Sequence, residues 1–213
     1  MLDPRILRTR RLLQGTLETM LQKRHFAEIS LEAILEAAHV DRTAFFENYE
    51  NINALLECTV AGKMGGLLEK HRVRFDGSSA EALKGVALCV CDCLDELPGR
   101  HSLTADPHLE SALIEVVRWI VLEGIAVHLA LNGTPANMVA STAAWAIYGA
   151  AREWRSSAGP RSPRKAAEII ARIVAPVIES ARIDLPKTTN HVPGSPEPEP
   201  ERNVHPRVRS WAS

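Results

Sequence analysis

Three capping residues stand close together near the N-terminus, and they constrain the fold more than any other feature. Ser30 precedes LEAILEAA, Asp41 precedes RTAFFEN, and Asn51 precedes a long run that starts at Ile52. Each has a side-chain oxygen suited to accept a backbone N–H from the first helical turn. Only two very short helices fit between the first cap and the third. Such helices are unstable alone and must be held by neighbours. The caps predict helices over 31–38, from 42 to about 49, and from 52 onward. A first helix is expected near 4–23, with Pro4 in its first turn. Its apolar positions Ile6, Leu13, Leu17, Met20 and Leu21 recur near helical spacing.

The rest of the chain also reads as helix, so the expected class is all-α. Strand-type alternation is nearly absent. The fourth helix should run toward Phe75, and further helices are expected over 79–97, 107–131, 135–157 and 163–183. Asp76-Gly77-Ser78-Ser79, Pro98-Gly99, Asn132-Gly133 and Gly159-Pro160 punctuate them. Pro107, Pro135 and Pro163 stand near first turns, and Pro176 interrupts the last helix. Gly62, Gly65 and Gly66 weaken the fourth helix and mark a place where it could move. From Asp184 the composition shifts, and PGSPEPEPE (193–201) cannot build a core. The expected division is a headpiece over 1–50, a helical body over 51–183 and a disordered tail over 184–213.

Charge narrows the function. The 25 basic and 26 acidic residues leave a formal charge of −1. That excludes a polybasic protein holding nucleic acid by bulk charge, but not a small DNA reader within a neutral chain. The most apolar stretch, Leu113 to Leu131, contains Glu115, Arg118, Glu123 and His128, so no membrane span is expected. MLDPRILRTRRLLQG lacks the pattern of a signal peptide, and four cysteines with three crowded together do not form an extracellular framework. A cytoplasmic location is expected. No nucleotide-binding loop, hydrolase elbow or zinc-protease motif appears, so neither an enzyme nor a cofactor is expected.

The second and third helices fit a helix-turn-helix, whose second helix must present its N-terminal half to a DNA major groove. Ile34, Leu35, Ala38 and Val40 would form the inside of the motif. Phe45 and Tyr49 would pin the third helix to the first and to Phe26. The outer side would show Arg42, Thr43, Phe46 and Glu47.

These residues resemble the DNA-binding domain of TetR-type transcriptional repressors. The stretch LLQGTLETMLQKRHFAEISLEAILEAAHVDRTAFFENYENINALL (12–56) matches that family's pattern at Phe26, Ile29, Ser30, Ile34, Ala38, Val40, Phe45, Leu55 and Leu56. It departs at Phe46, Asn48 and Ile52, where the family usually has tyrosine, histidine and lysine. The resemblance implies a homodimer that binds a palindromic double-stranded DNA operator and is released by a small-molecule effector. Arg42, Thr43 and Phe46 would then face bases. Thr43, Asn48 and Tyr49 would meet phosphates, with Ser30 and Asn51 at phosphate-facing helix starts. Arg5, Arg8, Arg10 and Arg11 would supply an arm. Residues 1–57 hold seven bases against nine acids, which predicts a shallow salt dependence.

Other candidates are weaker. Trp119, His128 and Cys93 are placed as possible effector contacts. Cys89 and Cys93 share a helix face, with Cys91 pointing away. Core packing is the first reading of these cysteines, and a soft-metal or thiol sensor is an alternative. No metal site is assigned. Ala143, Ile147 and Ala150 with Ile170, Val174 and Val177 are expected at a dimer interface built from the last two helices. The rival to a DNA-binding regulator is a dimeric scaffold that keeps the fold without reading DNA.

Overall fold

Each of the three caps closes the helix it announces. In the computed structural model, Ser30 Oγ accepts from the Ala33 N–H at 3.1 Å, Asp41 Oδ1 from Ala44 at 2.8 Å, and Asn51 Oδ1 from Ala54 at 2.9 Å. The structure describes residues 4–77, 79–96, 106–128, 131–157 and 162–182. The tail expected over 184–213 lies outside the described residues.

Among the described residues there are eight α-helices: α1 (Pro4–Leu21), α2 (Leu31–Ala38), α3 (Arg42–Asn48), α4 (Ile52–His71), α5 (Ala80–Glu96), α6 (Pro107–His128), α7 (Ala136–Ser156) and α8 (Pro163–Glu179). A 3₁₀ turn, Phe26–Glu28, joins α1 to α2. The only β-type pairing among them is an isolated bridge between Leu131 and Arg182. Helix α4 stops before Phe75 because Arg72 takes a left-handed conformation, φ 54°. Its N–H returns to the Glu69 carbonyl, and the Val73 N–H to that of Leu68.

The headpiece core gathers Leu13, Leu17, Phe26, Ile34, Phe45, Tyr49 and Leu55, all buried. Helix α1 packs on α2, α3 and α4. Helix α4 then enters the body, where it packs on α5 and α6 and thus belongs to both units. Helix α5 is surrounded by α4, α7 and α8. Cys89, Cys91 and Cys93 are consequently all fully buried. Cys91, on a different face from Cys89 and Cys93, is as buried as they are, because α5 is packed against helices on several sides.

Two contacts fix α6. Near its C-terminal end, the turn after α4 presses on it so closely that a Cβ on Gly77 (φ 74°) would lie 2.6 Å from the Gly124 carbonyl oxygen. A Cβ on Gly124 would lie 2.4 Å from the Phe75 ring. At its start, buried Asp106 reaches the headpiece: its Oδ2 accepts from the Phe26 N–H at 2.6 Å.

Candidate nucleic-acid interface

A reading helix must be rigid, exposed on one face and anchored on the other. Helix α3 is anchored by Phe45, which is fully buried, and by Tyr49 just past its end. The turn before it is tight. Ala38 is buried, Val40 is half-buried, and His39 closes α2 in the left-handed region at φ 52°. The opposite face exposes Arg42, Thr43, Phe46 and Glu47 together. Phe46 is 49% exposed, a large apolar surface to leave in water.

The positive charge on this face is already paired. Arg42 Nη1 donates to Glu32 Oε1 at 3.0 Å, and its guanidinium lies 5.5 Å from the Phe46 ring centre. A backbone hydrogen bond, and then the Arg42 guanidinium, hold the Glu32 carboxyl below the usual carboxylate range. Sequence reasoning missed Glu32 as the partner of Arg42, since the two stand on different helices.

Two expected phosphate contacts turn inward instead. Asn48 Nδ2 donates to the Ala44 carbonyl at 2.8 Å, and its Oδ1 accepts from Arg10 Nε at 3.3 Å. Tyr49 is buried, with its hydroxyl accepting from Gln14 Nε2 at 3.1 Å. Burial pushes its phenol well above the ordinary range. Both side chains therefore tie α3 to α1. Arg10 is half-buried in the same joint, with its guanidinium 6.0 Å from the Tyr49 ring. Arg8 and Arg11 remain exposed on α1. Ser30 and Asn51 are exposed, and their side chains are engaged as caps, so the first-turn backbone of α2 and α4 is what they present.

The other candidates do not converge. Trp119 is half-buried under Arg118, whose guanidinium lies 4.8 Å from its ring and is held by Glu115. His128 ends α6, and its side chain lies outside the described residues. Cys93 is fully buried, and burial pushes its thiol up to about 12, as it does for Cys89 and Cys91. Such thiols are poor sensors. Among the described residues, no group of His, Cys, Asp or Glu could hold a metal ion.

The residues expected at the dimer face divide between core and partly exposed positions of the subunit. Ala143, Ile147, Ile170 and Val174 are buried inside the subunit, and Ala150 and Val177 are half-buried. They pack α7 and α8 against each other and against α5. Other apolar residues of the same two helices are left in solvent one step around. Met138 and Trp145 on α7 are 62% and 59% exposed, and Ile169 and Ile173 on α8 are 49% and 57% exposed.

This arrangement matches solved structures. A TetR-family regulator from Streptomyces coelicolor A3 superposes with a TM-score of 0.56 at 19% identity, covering 83% of this chain and 98% of its own. The TetR-family repressor AlkX from a Dietzia strain gives 0.54 at 16%, covering 81% and 98%. FadR from Thermus thermophilus, a TetR-family repressor in complex with lauroyl-CoA, gives 0.50 at 19%, covering 88% and 100%. The chain has the TetR fold. No family model matches the sequence, and no curated protein does. No described helix is long and apolar enough to cross a membrane. In this TetR-fold chain the departures at Phe46, Asn48 and Ile52 fall on visible features. Phe46 is the exposed ring beside Arg42, Asn48 is an internal tie, and Ile52 is a half-buried residue opening α4.

Proposed function

We propose that the chain is a homodimeric transcriptional repressor that reads a two-fold symmetric operator with α3 and is released by a small-molecule effector. The observation that carries this reading is the outer face of α3. Arg42, Thr43 and Phe46 are exposed side by side on a short helix whose other face is locked to α1. That face combines a guanidinium for guanine, a hydroxyl, and an apolar ring for thymine methyl groups. Arg8 and Arg11 supply backbone contacts beside it. A half-site reader needs a partner, and Met138, Trp145, Ile169 and Ile173 supply an exposed apolar face on two adjacent helices. Two copies of that face make a four-helix interface around a two-fold axis. For an effector, support comes from the shared fold, in which FadR holds lauroyl-CoA.

The test is selection of bound duplexes from a random pool with the full chain. A two-fold symmetric motif is expected, and Arg42→Ala should abolish its enrichment. No enrichment at low salt would overturn the reading in favour of a scaffold.

A further inference from the structure

Among the described residues, a buried polar contact joins the headpiece to the body across 80 residues of sequence. Asp106 is 2% exposed and uses both carboxylate oxygens. Oδ1 accepts from the His108 and Leu109 N–H groups at 3.0 and 3.4 Å, which starts α6. Oδ2 accepts from the Phe26 N–H at 2.6 Å. The Phe26 ring lies against the His108 imidazole, centroids 5.2 Å apart. One carboxylate thus caps a body helix and grips the corner that leads into α2 and α3. Hydrogen bonds to a charged acceptor are the strong ones, and a buried Phe26 N–H without one would be costly.

The covalent joint alone is compliant. Gly62, Gly65 and Gly66 lie in α4 with open space where their Cβ atoms would be. The other tether, Lys63 between Glu18 at 3.6 Å and Glu96 at 3.4 Å, has half-exposed carboxylates and is weak for that reason. Phe26, Phe45 and Tyr49 are all buried in the continuous core that also runs through the body, so a grip on Phe26 bears on how α3 is packed.

We propose that Asp106 is the positioning residue that sets the headpiece on α6, and through it the spacing of the two reading helices in the dimer. The proposal rests on the DNA-binding reading above. Any shift of α6 carries Asp106 with the helix it caps, and Asp106 carries the Phe26 corner.

Asp106→Asn and Asp106→Ser test it in the full chain. Both are good helix caps, but neither has a second acceptor oxygen, so neither can serve α6 and Phe26 together. Amide exchange needs no DNA. In the variants, Phe26 should exchange about ten- to a hundredfold faster, while the later turns of α6 stay within about threefold. The second readout compares selected duplexes with others whose half-sites are moved by one base pair. The unsubstituted protein should lose about tenfold or more on respaced sites, and the variants less than about threefold. A merely weakened headpiece would lose affinity on all duplexes alike and keep that ratio. Unchanged exchange at Phe26, or a kept spacing preference once Phe26 is released, overturns the proposal. If the unsubstituted protein selects no duplex, the DNA-binding reading fails, and exchange at Phe26 still decides whether Asp106 holds the headpiece.

Discussion

Arg42 and Glu32 are paired at 3.0 Å across the turn between α2 and α3, with both side chains well exposed. In the proposed DNA-binding role, the Arg42 charge is therefore partly neutralised before DNA arrives. Binding must first exchange one carboxylate for a base edge or a phosphate.

Removing the competitor should help. Glu32→Gln is expected to raise affinity for the selected duplex about two- to fivefold, since an exposed ion pair is weak and easily displaced. Arg42→Ala is expected to lower it about tenfold or more, with a smaller loss on random duplexes. Equilibrium titrations at fixed salt measure both. Equal losses on all duplexes for Arg42→Ala would assign it to phosphate rather than to bases.

The proposed dimer face separates two kinds of substitution. Trp145→Glu places a charge on the exposed stripe, and the expected result is a monomer that keeps its helical content. Ile170→Ala removes a buried side chain and should leave a dimer destabilised by about 2–4 kcal/mol. Sedimentation and urea unfolding read the two outcomes. The reverse pattern would restore the interface first expected from the sequence.

The buried thiols predict both reactivity and pH dependence. Half-buried Cys58 should label first with a maleimide, and Cys89, Cys91 and Cys93 only as the protein opens. Their folded thiols are held protonated up to about 12 by burial, while unfolded thiols ionise near about 8.5. Above that lower value the unfolded chain binds fewer protons than the native one. Stability should hold below about pH 8.5 and fall as pH rises from there toward 12. Urea midpoints between pH 7 and 10 show the sign, and a rise over that range would contradict it.

His39 occupies a left-handed position that favours glycine, at φ 52° in the turn of the motif. His39→Gly should stabilise the headpiece by about 0.5–1 kcal/mol if the relief of strain exceeds the added chain entropy. A thermal melt of the full chain reads this, and a lower midpoint would show that the imidazole makes a stabilising contact.

The sequence was most informative where structure is local. Ser30, Asp41 and Asn51 are read from the residue and the few that follow, and all three cap as expected. The inner face of the motif followed from Phe45 and Tyr49 in the same way. The dimer face did not. Ile169 and Ile170, and again Ile173 and Val174, place apolar residues on neighbouring faces of α8, so periodicity cannot say which face meets α5 and which meets water. The inward ties of Asn48 and of the Tyr49 hydroxyl were not legible for a related reason, since their partners Arg10 and Gln14 lie on a helix distant in sequence. Asp106 carried no signal, because a lone aspartate before a proline reads as a cap and nothing marks a partner 80 residues away.

The close approach of Gly77 and Gly124 bears on how such a chain can drift over evolutionary time. Neither position admits a methyl group while the opposing backbone stays in place. A neutral change at one must coincide with a rearranged loop after α4, so the two sites should be inherited as a pair. In a set of descendants they should vary together or not at all. Insertions should collect elsewhere, and the length from Val73 to Ser79 should be among the most invariant of the connections.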